Sequence, residues 1–70
     1  MEKIVLRDEF IKLGQALKAA NLVESGVEAK SVILDGQVMV NGQTETRRGR
    51  KLYKGDTVSY GGETIHIEEA

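Results

Sequence analysis

VEAKSVILDGQVMVNG, residues 27–42, changes its hydrophobic period within a single short stretch. It opens as the later turns of an amphipathic helix, breaks at Asp35-Gly36, alternates through Gln37-Val38-Met39-Val40, and turns at Asn41-Gly42. Glycine supplies the left-handed conformation that closes a helix, and Asn-Gly is the preferred pair for a type I′ turn between antiparallel strands. The stretch therefore predicts a helix running directly into a β-hairpin, with Val38 and Val40 inward and Gln37 and Met39 outward.

Upstream, Ser25-Gly26-Val27-Glu28 has the S-x-x-E form of a capping box, so this helix should begin just after Ser25. Val27, Ala29, Val32, Ile33 and Leu34 are expected to form its buried side. A first helix is expected from Phe10, with Phe10, Leu13, Leu17 and Ala20 on one face and Asp8 as the acceptor for its free amides. Lys12, Gln15 and Ala19 fall on a second stripe beside Lys18. Gly14 inside that helix costs about 1 kcal/mol relative to alanine, which points to a close backbone approach or a functional surface. The connection through Asn21–Glu24 is short enough to fold the two helices back on each other.

Strands are expected at Lys3–Arg7, Gln37–Val40, Gln43–Thr46, Thr57–Tyr60 and Glu63–Glu68, the last with Ile65 and Ile67 inward. Gly61-Gly62 reads as a tight hairpin turn and Lys54-Gly55-Asp56 as another turn. Leu52 is the residue expected to tie the intervening loop to the core. The reading is α+β: two antiparallel helices packed on a small, mostly antiparallel sheet of about five short strands.

At 70 residues the chain is expected to form one domain, 1–70, with a small core. It has no cysteine, hence no disulfide framework and no thiolate metal site, and a reducing cytoplasm is its expected setting. No apolar run approaches the roughly 20 residues of a membrane span, and no signal peptide is recognisable. His66 is the only histidine, and the acids are scattered without a pair suited to proton transfer. No catalytic residue, metal, cofactor or small-molecule substrate is expected.

The formal net charge of −1 argues by itself against a nucleic-acid partner, but it conceals a segregation. Residues 46–55 contain Arg47, Arg48, Arg50, Lys51 and Lys54 and no acid, a local +5 against −6 for the rest. A phosphate approaching within the Debye length of about 8 Å responds to that local field and not to the total.

Leu13, Leu17, Ala29-Lys30, the run Leu34-x-Gly36-x-Val38-x-Val40-Asn41-Gly42 and the later Gly55-Asp56 together resemble the S4 RNA-binding domain, in its αL motif form. The length and the Glu45-Thr46-Arg47-Arg48 sequence make the chain similar to the short bacterial proteins in which that domain stands alone. The resemblance implies a non-catalytic, cytoplasmic module that grips structured RNA, ribosomal or transfer RNA, in association with the ribosome. It places Lys12 and Lys30 at positions the family commonly fills with arginine, Ser25 at the polar helix start and Asn41 at the hairpin. Gly14 stands where an aspartate is common, and Ala19 where many members are basic.

Arg47, Arg48, Arg50 and Lys51 are the expected phosphate contacts, since guanidinium forks match phosphate oxygens. Lys18, next to Ala19 on the first helix, is a further candidate contact, and Tyr53, beside the basic loop, is the aromatic placed to stack on an unpaired base. The alternative function is a protein-interaction module docking the basic loop on an acidic partner.

Overall fold

A computed structural model describes residues 2–69, backbone only at Glu2. Nine elements follow in chain order: β1 (Glu2–Leu6), β2 (Ile11–Lys12), α1 (Leu13–Ala19), α2 (Gly26–Leu34), β3 (Met39–Val40), β4 (Gln43–Thr44), β5 (Lys51–Leu52), β6 (Thr57–Tyr60) and β7 (Glu63–Glu69). The main sheet has the order β1-β7-β6-β3-β4; β1 runs parallel to β7 and every other pairing is antiparallel. A second, two-stranded sheet pairs β2 with β5. The five expected strands are those of the main sheet, and β2–β5 is the addition.

That addition corrects the expected start of the first helix. Ile11 and Lys12 are extended, paired with Leu52 and Lys51, and helix α1 begins only at Leu13. Its first two amides are satisfied by the loop and not by Asp8: Leu13 N–H donates to the Arg50 carbonyl at 2.8 Å and Gly14 N–H to the Arg48 carbonyl at 3.1 Å. A tertiary cap has displaced the local one. Phe10, expected on the helix face, lies before β2 and is half-buried.

Helix α2 begins where the sequence places it, with Ser25 Oγ accepting from Glu28 N–H at 3.2 Å. The other half of the expected capping box is shifted by one residue, because the Glu28 carboxylate accepts from Glu24 N–H at 2.8 Å. Ala29, Val32 and Ile33 are buried, whereas Val27 is 80% and Leu34 60% exposed, against the expectation for both. The two lie seven positions apart on one stripe, rotated away from the side that Ala29 and Ile33 present to the core. The helix ends at Leu34, and Gly36 has φ +77° as the Asp35-Gly36 break requires.

Val38, just before the shortened β3, joins Val40, Leu52, Val58, Ile65 and Ile67 from the strands and Leu13, Leu17 and Ile33 from the helices in one core, all 2% exposed or less. Ala16, absent from the expected face, also lies fully buried. Asn41 and Gly42 both have positive φ, 53° and 82°, as the hairpin turn demands. The return strand is shorter than expected: pairing stops at Thr44, and Glu45 turns inward.

Leu52 anchors the loop between β4 and β5 to this core. Leu52→Ala is expected to cost about 2–5 kcal/mol, read as a lowered midpoint in chemical denaturation with an unchanged slope.

Candidate nucleic-acid interface

The loop from Glu45 to Lys51 is folded around one carboxylate. Glu45 is 7% exposed, and its amide donates to the Val38 carbonyl at 2.9 Å, which sets it opposite an inward-facing residue of the hairpin. An acid in that position requires cations. Arg47 supplies two guanidinium hydrogen bonds, Nε to Oε2 at 2.9 Å and Nη2 to Oε1 at 3.1 Å, and its backbone N–H donates to Oε2 at 3.1 Å. Arg50 Nη1 donates to Oε1 at 2.8 Å.

The Arg47 and Arg50 bonds hold the Glu45 carboxyl at about 2, well below its ordinary value of 4.5, in spite of its burial. Arg47 is shifted up in turn by the same carboxylate. These are the ion pairs found among the described residues, so two of the arginines expected to reach outward already hold an anion of the protein's own.

Arg48 is placed differently. Its stem crosses Gly14 so closely that a Cβ built on that glycine would sit 2.9 Å from Arg48 Cγ. Gly14 is thus the close backbone approach its sequence position suggested. Beside it, a groove of about 500 Å³ is lined by the cations Lys12, Lys18 and Arg48, by the small residues Gly14, Ala19, Gly26, Ala29 and Gly49, and by Gln15. The structure brings Lys12 and Lys18, at the two ends of α1, together with Arg48 from the loop at least thirty residues on.

Gly49 also borders a shallower concavity lined by Arg47, Arg50 and Lys51, so the two basic surfaces meet at that residue. Lys51 lies directly opposite Lys12 in the β2–β5 ladder, and its Nζ stands 4.8 Å from the centroid of the Phe10 ring. Phe10 in turn packs on Tyr53, with centroids 6.0 Å apart and an angle of 52° between rings. Tyr53 remains 43% exposed.

The other expected residues lie elsewhere. Lys30 is exposed one turn beyond Gly26 on α2 and does not line the groove. Ser25 is occupied as the cap of α2. Asn41 is absorbed by the fold: Oδ1 accepts from Thr57 N–H at 2.9 Å and Nδ2 donates to Asp56 Oδ1 at 3.0 Å, joining the hairpin to β6. Glu45, which enters the sequence reading only within the Glu45-Thr46-Arg47-Arg48 resemblance, and Gly49 take places that the linear reading does not assign them. For Glu45 the signal was present, since an Asn41-Gly42 turn sets residue 45 across from Val38, on the face already assigned inward.

A small α+β body with a cation-rimmed groove between its two helices and an internally braced basic loop is the architecture of a nucleic-acid-binding module. The chain belongs to the S4 domain family, whose model matches residues 4–68. It is 46% identical over 59 residues to a probable ribosome maturation protein, RlbA, of Bacillus subtilis, covering 84% of this chain and 83% of that one. It is 40% identical over 57 residues to a putative RNA-binding protein, YbcJ, of Escherichia coli, covering 81% of each. A solution structure of YbcJ from E. coli, described as revealing an αL motif involved in RNA binding, superimposes with a TM-score of 0.74 at 36% identity, over 97% of this chain and 87% of that one.

Between the unfolded carboxyl at about 4.5 and the folded one at about 2, the native state binds fewer protons. The stabilisation from Glu45 is therefore complete above pH about 4.5 and is lost as pH falls toward 2. Glu45→Ala is expected to cost about 1–3 kcal/mol at neutral pH. It should also flatten the loss of stability over that acid range, measured as unfolding free energy against pH.

Proposed function

We propose that this protein is a non-catalytic RNA-binding module of the cytoplasm that grips structured RNA, ribosomal RNA foremost, through the groove between its helices and the adjoining basic loop. The observation that carries the reading is the convergence of Lys12, Lys18 and Arg48 on one groove while Arg47 and Arg50 are held by Glu45. The RNA-binding and ribosome-maturation descriptions of the relatives support the same direction.

The Lys12–Lys51 pairing adds a physical argument. Like charges placed directly opposite on an antiparallel ladder are unfavourable to folding, and an anion bound between or beside them offsets that repulsion. A-form RNA, with a major groove too narrow for side chains to read, is gripped by shape and backbone charge, which suits a small rigid body carrying cations on one surface. In this reading Lys12, Lys18 and Arg48 make the principal contacts. Lys51, Arg50, Arg47 and Lys30 add to the field around them, and Tyr53 offers an exposed ring at the edge. Ser25 and Asn41 act through the fold.

Replacing Lys12, Lys18 and Arg48 together by alanine is expected to reduce affinity for ribosomal RNA fragments more than tenfold. It should also lower the slope of log affinity against log salt by about 2–3, as removal of three cations from the contact surface predicts. Lys3→Ala, on β1, is the control expected to change neither. Equal slopes for the triple variant and the wild type would reject this groove as the site. Partners captured from cell extract that persist after nuclease treatment would favour the acidic-protein alternative instead.

A further inference from the structure

We infer that the groove receives a single unpaired nucleotide of the RNA, with its base against the small-residue floor and its phosphate on the lysines. This rests on the RNA-binding reading above and specifies what that surface selects. A duplex backbone presents a convex ribbon of charge, and a flat cationic surface is enough to hold it. The groove has in addition a recess of about 500 Å³, within the usual range of about 300–1,000 Å³ for small-ligand sites. Its lining includes Gly14, Ala19 and Gly26, where larger side chains would take up the room. An apolar slot with cations at its rim has the complementarity of a nucleotide, a flat uncharged ring joined to an anion. Nothing in that pattern is needed to hold a duplex.

Arg48 supplies the specific element. Guanidinium planes stack on bases as aromatic rings do, and unpaired nucleotides in loops and bulges are the usual targets of such stacking. Because Gly14 lets the Arg48 stem lie against α1, Arg48 lines the groove alongside that helix. Lys12 and Lys18, one at the start of α1 and the other in its last turn, flank the recess where the sugar-phosphate would pass. Gln15 lines the recess as well. Its Oε1 accepts weakly from Lys12 N–H at 3.4 Å, which leaves its amide N–H₂ to read a base edge.

The test compares two hairpin RNAs of the same stem, one fully paired and one with a single unpaired nucleotide, each of the four bases tried in turn, by fluorescence anisotropy. Wild-type protein is expected to prefer at least one bulged RNA by about tenfold or more, the scale of one stacked base. Two variants fill the recess from exposed positions: Ala19→Leu, and Gly26→Leu, where an added Cβ meets nothing within 4 Å. Thermal denaturation is expected to show both folded. Both should lose the preference for the bulge, so that each variant binds the bulged and the fully paired RNA with equal affinity. Equal wild-type affinity for paired and bulged RNAs, or a preference that survives both variants, would overturn the inference and leave the RNA-binding reading intact. Failure to bind any of these RNAs at low salt would count against that reading itself, and this inference would fall with it.

Discussion

One buried carboxylate organises the basic loop of this molecule. Glu45 faces inward from the hairpin, and the only way to leave it charged there is to surround it with donors, which Arg47 and Arg50 provide. Once those two guanidiniums are committed, the loop between them has little freedom. Its carbonyls at Arg48 and Arg50 are then in place to receive the first amides of α1, and Leu52 drops into the core immediately after. The side chain of Arg48, with no such partner inside the loop, is left to cross Gly14 into the groove. A surface braced in this way has already met much of the ordering cost of binding before any ligand arrives.

The brace also resolves an apparent conflict in charge. Five cations within ten residues would repel one another and loosen the loop, yet a chain with net charge −1 would offer a weak field to a polyanion if those cations were spread evenly. Here one acid offsets half the charge of the pair that shapes the loop, while Lys12, Lys18 and Arg48 gather at the groove. Among the described residues no acid lines that groove, so a phosphate seated in it meets three cations whatever the total charge. Shape and charge are thus divided between different arginines of one short segment.

A second polar knot holds the opposite end of the hairpin. Asn41, in its left-handed turn conformation, spans to Thr57 and Asp56, and Asp56 in turn accepts from Tyr53 N–H at 2.8 Å. With the Glu45 cluster near one end of β3–β4 and this knot at the other, both flanks of the basic segment are tied to the main sheet. A domain of this size, with no disulfide to constrain it, gains most from polar contacts that close such loops.

Much of the framework was legible in the residues alone, because it rests on short-range chemistry. The Asn41-Gly42 and Gly61-Gly62 turns, the Ser25 cap, the stop at Gly36 and the inward alternation of Val38, Val40, Ile65 and Ile67 each follow from local stereochemistry and periodicity. The S4 resemblance had the same basis, an ordered set of such signals at fixed spacing. What the chain could not disclose locally was decided by contacts between distant segments. Helix α1 starts at Leu13 because a loop more than thirty residues away caps it, and Val27 and Leu34 face outward because of where α2 is set against α1. Arg47, Arg48 and Arg50 look equivalent in a linear reading. Only folding separates them, because the inward direction of Glu45 selects two as its partners and the missing side chain at Gly14 directs the third into the groove.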